Sequence, residues 1–194
     1  TQVDLLGEYV SHIVGLFPVL AFANIRVVLD CANGAMSDVA PEVFARLGAT
    51  VIVLNDRPNG KNINDSCGAT HPEIVSEAVR LHKADLGLAF DGDGDRVIAV
   101  DHIGDVVDGD HLIALAAIDL HKRGKLKSNS VAVTVMTNAG FHQAMEKVGI
   151  KVVTTPVGDR NILVAFDEHE IVLGGEQSGH IIYRDYATTG DGLL

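Results

Sequence analysis

Four short apolar runs, at residues 26–30, 50–54, 85–90 and 96–100, constrain the fold of this chain more than any other feature. The first three are separated by stretches periodic enough to hold a helix each. A helix fits residues 37–47 and stops at Gly48. Another fits 71–83, where Thr70-His-Pro-Glu73 reads as a capping box with proline in the first turn. Asn, Asp, Gly and Pro crowd residues 55–68, which read as loop. Runs joined through helices become parallel strands. Only five residues, 91–95, separate the third run from the fourth, too few for a crossover, so the fourth strand returns antiparallel. Upstream, residues 1–20 place Val3, Leu6, Val10, Ile13 and Val14 at helical spacing, with Pro18 ending the run.

The pattern restarts after Asp101. Gly104 marks a tight turn, and helices fit 109–123, 138–148 and 158–167. Strand patterns fit 131–135, 150–155, 171–173 and 180–184. The fold class expected is α/β, as two successive three-layer domains with mixed, mainly parallel sheets, residues 1–101 and 102–194. Thr1 opens a helix already under way and Leu194 follows a Gly-Asp-Gly turn, so a piece of a longer chain is expected.

Composition narrows the partners. With 47% hydrophobic residues the chain can bury a core, and 15 Lys and Arg against 26 Asp and Glu give a net charge of −11. That field repels phosphate backbones and argues against nucleic acid, while leaving room for a small anionic ligand where a metal or local donors offset it. The longest apolar stretch, 13–29, is interrupted by Pro18, Asn24 and Arg26, so no membrane span is expected, and the N-terminus lacks the pattern of a signal peptide. Two cysteines, Cys31 and Cys67, are too few for a disulfide framework; inert thiols in a reducing, cytoplasmic setting are expected.

The most informative segment is Phe90-Asp-Gly-Asp-Gly-Asp-Arg96, with Asp91, Asp93 and Asp95 at alternate positions. The glycines let the loop curl until the carboxylates converge. Two unit charges about 4 Å apart repel by about 4 kcal/mol at an effective dielectric near 20, and a divalent ion reverses that sign. Oxygen ligands select Mg²⁺, Mn²⁺ or Ca²⁺ over zinc. The alternative is an acidic surface turn. An EF-hand does not fit, because Arg96 and His102 stand where its sixth and twelfth positions need Gly and Glu. Arg96 is a fork for phosphate oxygens or a neutraliser of one neighbouring aspartate.

The second candidate is Gly174-Gly-Glu-Gln-Ser-Gly-His180, which gathers a carboxylate, an amide, a hydroxyl and an imidazole. Such groups suit sugar hydroxyls, and His180 can move a proton near neutral pH. Equally, the segment can be a glycine-rich hairpin whose polar groups satisfy local backbone. It is not a nucleophile elbow, since Glu176 occupies the position of the first glycine. His71, His82, His111, His121, His142 and His169 lack ligand spacing and are expected to pack, cap or face solvent, as are Asp101, Asp105, Asp108 and Asp110 around a hairpin and helix start.

Together the two segments resemble the α-D-phosphohexomutase superfamily. Asp30-Cys-Ala-Asn-Gly-Ala35, Asn62-Ile-Asn64, Cys67-Gly-Ala-Thr-His-Pro-Glu73, Val157-Gly-Asp-Arg160 and Thr189-Gly-Asp-Gly192 fit the same family, and the resemblance spans nearly the whole chain. Gln177 resembles the branch that acts on glucosamine phosphate, relatives acting on mannose or glucose phosphates carrying Met there. The resemblance implies a four-domain enzyme of which this is the second and third domain. It would be an intramolecular phosphotransferase that interconverts glucosamine 6-phosphate and glucosamine 1-phosphate through a phosphoserine and a bisphosphate intermediate.

By that resemblance Asp91, Asp93 and Asp95 hold one Mg²⁺ with a phosphoserine of the first domain, and Arg96 approaches the transferring phosphate. Glu176 and Ser178 bind sugar hydroxyls, His180 is a general acid or base, and Arg160 lines the sugar pocket or forms a structural salt bridge. The family's serine loop and its fourth-domain phosphate loop are not in this sequence, so the chain alone is expected to be inactive. Pro156, and Asn161 where Tyr is usual, depart from the family near the sugar loop. A mannose or glucose phosphate mutase, or a non-catalytic module binding metal and phosphosugar, are the competing readings.

Overall fold

The computed structural model describes residues 5–194; residues 1–4, part of the first expected helix, lie outside the described residues. The chain divides into two compact units, the first running to Val106 and the second from Val107 to Gly192.

The elements up to Val107 are α1 (Leu5–Gly15), β1 (Arg26–Asp30), α2 (Met36–Arg46), β2 (Thr50–Leu54), α3 (Pro72–His82), β3 (Leu86–Phe90), β4 (Val97–Asp101) and the short β5 (Val106–Val107). They form a sheet of order β2-β1-β3-β4-β5. Strand β1 runs parallel to β2, with Val27 opposite Val51, and to β3, with Val28 opposite Gly87. The hairpin β3–β4 is antiparallel, Leu88 facing Ala99, as the short loop of residues 91–96 requires. Central β1 is buried from Val27 to Asp30, the near-continuous apolar run of a strand covered on both faces. Val28, Ala89 and Val100 pack under Val75 and Val79 of α3.

Two local expectations change. Helix α1 stops at Gly15, and residues 16–24 continue as turns, with Ala21 N donating to Pro18 O and Ala23 N to Leu20 O. Thr70 does not cap α3. It closes a 3₁₀ turn, Gly68–Thr70, and His71 stands at the cap with φ −131° and ψ 54°. Pro72 forces the preceding residue out of helical geometry, so the first helical position is the proline itself. Glu73 then meets His71 Nδ1 at 2.9 Å.

The second unit repeats the plan with α4 (Gly109–Lys122), β6 (Ser130–Thr134), α5 (Ala139–Lys147), β7 (Lys151–Thr155), α6 (Asp159–His169), β8 (Leu173–Gly175) and β9 (Ile181–Tyr183). Its sheet order is β7-β6-β8-β9, parallel except for the final hairpin. Alternation along β6 separates the layers. Val131 and Val133 pack with Ile113 and Ala117 of α4 and Phe141 and Met145 of α5. Ala132 faces the other way, onto Ile162 and Phe166 of α6. The strand expected at 171–173 lies at Leu173–Gly175, because Gly174 and Gly175 are buried strand residues rather than loop. A Cβ on Gly174 would overlap the Ala132 carbonyl of β6, and one on Gly175 the His180 carbonyl. No described helix is long and apolar enough to cross a membrane.

Asp30, at the end of β1, is fully buried and accepts from Ala32 N at 2.9 Å and Gly68 N at 3.0 Å. It ties the turn after β1 to the segment behind β3. Cys31 and Cys67 are buried free thiols, and burial pushes Cys31 up to about 12. We expect Asp30→Ala to orphan both amides and lower unfolding stability by about 2–5 kcal/mol in urea titrations; a loss within error would remove Asp30 from this role.

Candidate functional site

In the first sheet the strand order reverses between β1 and β3, and open α/β sheets bind ligands at the carboxyl ends of strands flanking such a point. Residues 91–96 leave β3 there. Asp91 Oδ1 accepts from Gly94 N and Arg96 N, both at 3.1 Å, which curls the loop. Gly92 is squeezed from two sides. Ala35 N donates to its carbonyl at 2.8 Å, with Gly34 so close that a Cβ would overlap that oxygen. On the other side, a Cβ on Gly92 would lie 2.5 Å from Ile63 Cγ1 and 2.7 Å from Asn64 Nδ2. Gly94 has φ +79° and packs on Met36.

The result is convergence. Asp91, Asp93 and Asp95 each offer a carboxylate oxygen, all within 4.8 Å of one another. Burial, and then the adjoining Asp95 carboxyl, push Asp91 up to about 7. An all-oxygen set of this kind can hold a hard divalent cation, which would relieve the crowding. Arg96 Nε lies 3.9 Å from Asp95 Oδ1, a loose pair with both side chains partly exposed. Its guanidinium is therefore accessible beside the triad.

In the second sheet the order reverses between β6 and β8, and residues 176–180 leave β8 at that edge. Glu176 N donates to His180 O at 2.9 Å and Gly179 N to Glu176 O at 3.0 Å. Glu176 Oε1 accepts from Gly158 N at 3.1 Å, which fixes the carboxylate against the start of α6. Arg160 is exposed in the first turn of that helix. Ser178 is exposed at the loop tip, whereas His180 is 4% exposed. Gly190 lies on the imidazole; a Cβ there would sit 2.5 Å from Cε1 and 2.6 Å from Nδ1. The amide expected among the sugar-facing groups is turned elsewhere: Gln177 Nε2 donates to Asp108 Oδ2 at 3.2 Å.

Sequence reasoning missed several supports. Asp110, expected on a solvated helix start, is 1% exposed, and its Oδ2 accepts from Asn138 N and Nδ2, both at 2.9 Å. Asn33 accepts from Arg57 N at 3.2 Å and so braces the 55–68 loop. An Asp at a helix start gives no sign of its burial, whereas the Asn33-Gly34 pair at least announces a turn.

The crowding has a measurable consequence. An Asp held up to about 7 favours its protonated form in the folded chain, so its stabilising contribution is present at low pH and is lost as pH rises towards 7. In EDTA, Asp93→Asn should raise the thermal midpoint by on the order of 1–2 °C at pH 8 and by less at pH 5. A midpoint lowered at pH 8 would contradict like-charge repulsion.

Residues 7–104 match the family described as phosphoglucomutase/phosphomannomutase, alpha/beta/alpha domain II, and residues 108–194 match its domain III. The chain is 51% identical over 189 residues to phosphoglucosamine mutase of Streptomyces coelicolor, covering 97% of this chain and 42% of that protein. It is 49% identical over 193 residues to that of Chlamydia pneumoniae, covering 99% and 42%. A phosphoglucomutase/phosphomannomutase family protein from Burkholderia thailandensis superposes with a TM-score of 0.87 at 26% identity, over 100% of this chain and 42% of that one. The chain thus spans about two fifths of the length of these relatives. With both sheets, both edge loops and both family matches in agreement, the chain belongs to the phosphoglucomutase/phosphomannomutase family, of which it carries domains II and III.

Proposed function

We propose that this chain is the central part of a phosphoglucosamine mutase that interconverts glucosamine 6-phosphate and glucosamine 1-phosphate in the cytoplasm. Identity near 50% to proteins of that name supports the reaction, and the observation that carries the chemistry is the carboxylate triad beside Arg96. Asp91, Asp93 and Asp95 would hold one Mg²⁺, with a phosphoserine from a first domain outside this chain. When bound, the ion supplies positive charge next to the phosphoryl group being transferred.

The chain's own groups have separate tasks. Arg96 offers its fork to phosphate oxygens, since its tie to Asp95 is long and exposed. Glu176 is anchored through one oxygen to Gly158, leaving the other to accept from a sugar hydroxyl. Ser178 adds a hydroxyl at the tip, and His180, oriented by packing against Gly190, would exchange a proton with the sugar oxygen. Arg160 would line the same sugar site. A phosphoserine that gives its phosphoryl group to the sugar would leave a bisphosphate and a free serine hydroxyl. The bisphosphate would then present its other end to that hydroxyl, which takes a phosphoryl group back, while a fourth domain would hold the phosphate not being transferred.

The test uses both the chain and the full-length enzyme. Mg²⁺ should raise the thermal midpoint of the 194-residue chain, and Asp93→Asn should abolish that rise. In the full-length enzyme Asp91→Asn should cut kcat by about a hundredfold or more, and glucosamine phosphate should be turned over faster than mannose or glucose phosphates. Mutase turnover by the 194 residues alone, or preference for a neutral sugar, would refute the assignment as stated.

A further inference from the structure

The amino end of α4 is built into the underside of the 176–180 loop. Gly109 N donates to Gln177 O at 3.0 Å, and a Cβ at position 109 would overlap the Glu176 carbonyl and lie 2.8 Å from Gly179 N. Asp108 caps the same helix: its Oδ1 accepts from His111 N at 3.1 Å and meets His111 Nδ1 at 2.6 Å. Its other oxygen, Oδ2, takes the Gln177 side chain at 3.2 Å. One carboxylate therefore ends a helix and grips a loop, with each oxygen committed to a different task.

We propose that Asp108 is a positioning residue for phosphosugar binding, acting through Gln177 to hold Glu176 and Ser178 in their binding geometry. This rests on the mutase reading above for its substrate, although the clamp itself does not. Gln177 is exposed, so core packing does not fix its side chain, and among the described residues the backbone hydrogen bond between the loop and α4 is the one from Gly109. Two bonds from adjacent residues of one helix, one to the Gln177 carbonyl and one to its amide, remove the freedom of the loop to pivot. Both flanks of Glu176 are then held, by Gly158 on one side and by α4 on the other. Ordering the loop before the sugar arrives lowers the entropy cost of binding.

Substitutions separate the clamp from the cap. Asp108→Ser keeps a hydroxyl that can cap α4 but is too short to reach Gln177, Gln177→Leu removes the clamp alone, and Asp108→Asn keeps both bonds once the Gln177 amide turns over. Amide hydrogen exchange at Glu176 and Gly179 in the 194-residue chain should speed up about tenfold in Asp108→Ser and in Gln177→Leu, the equivalent of one lost charge-assisted bond. The double variant should match either single one, because both remove the same contact, and Asp108→Asn should restore protection. In the full-length enzyme the first two should raise KM for glucosamine 6-phosphate about tenfold with a smaller change in kcat. Unchanged exchange, or additive effects in the double variant, overturns the clamp. So does faster exchange that leaves KM untouched in an enzyme that turns the sugar over. Absence of turnover in the unmodified enzyme counts instead against the mutase reading, and exchange still decides the clamp.

Discussion

A return strand joined by five or six residues cannot cross over, and that limit organises both halves of the molecule. In each unit two βα steps lay down parallel strands in the order second, first, third, and a short hairpin then folds the fourth strand back. The hairpin must leave the third strand at the carboxyl edge, beside the turn that follows the first. That is the place where an open sheet has a crevice and converging backbone ends. The acidic loop after β3 and the loop after β8 thus occupy the same topological slot, although the sequences of the two units show no repeat.

The slot is used in two physical styles. After β3 the backbone is clamped and the side chains are left in electrostatic tension. Gly34, Ile63 and Asn64 press on Gly92, Asp91 takes two loop amides, and three carboxylates remain within 4.8 Å of one another. After β8 the side chains themselves are tied down, Glu176 to Gly158 and Gln177 to Asp108. The first arrangement leaves like charges crowded together, which a cation would relieve. The second fixes a carboxylate and an amide in place, and the proposed function gives that loop sugar hydroxyls to meet.

Most of the architecture was legible because it depends on spacing. Runs such as 26–30 and 50–54 have a length and apolarity that only a covered strand uses, and helix-length gaps dictate parallel pairing. The acidic triad was legible too, since alternating glycines permit the convergence that the carboxylates resist. What escaped was contact between distant segments. Gly174 and Gly175 look like loop residues in isolation, and only the closeness of Ala132 and His180 makes them strand. Thr70 has the pattern of a cap, but the constraint that Pro72 places on His71 prevails over it. Asp108 and Asp110 read as hairpin and helix-start acids, and Asp30 as the end of a strand, because long-range partners leave no local trace.

Those three aspartates clarify how an acidic chain with net charge −11 stays folded around a carboxylate cluster. Asp30 and Asp108 accept N–H groups through both carboxylate oxygens, and Asp110 accepts two through Oδ2 while its Oδ1 is buried without a partner among the described residues, so each anion meets donors where it sits. Asp91 also accepts two amides, yet burial and its aspartate neighbours outweigh them and push it up to about 7. The structural carboxylates meet N–H donors, whereas this one stands against two further carboxylates, a crowding that a cation would relieve. That difference in electrostatic completeness, rather than the number of acids in the loop, separates the candidate site from the rest of the acidic surface.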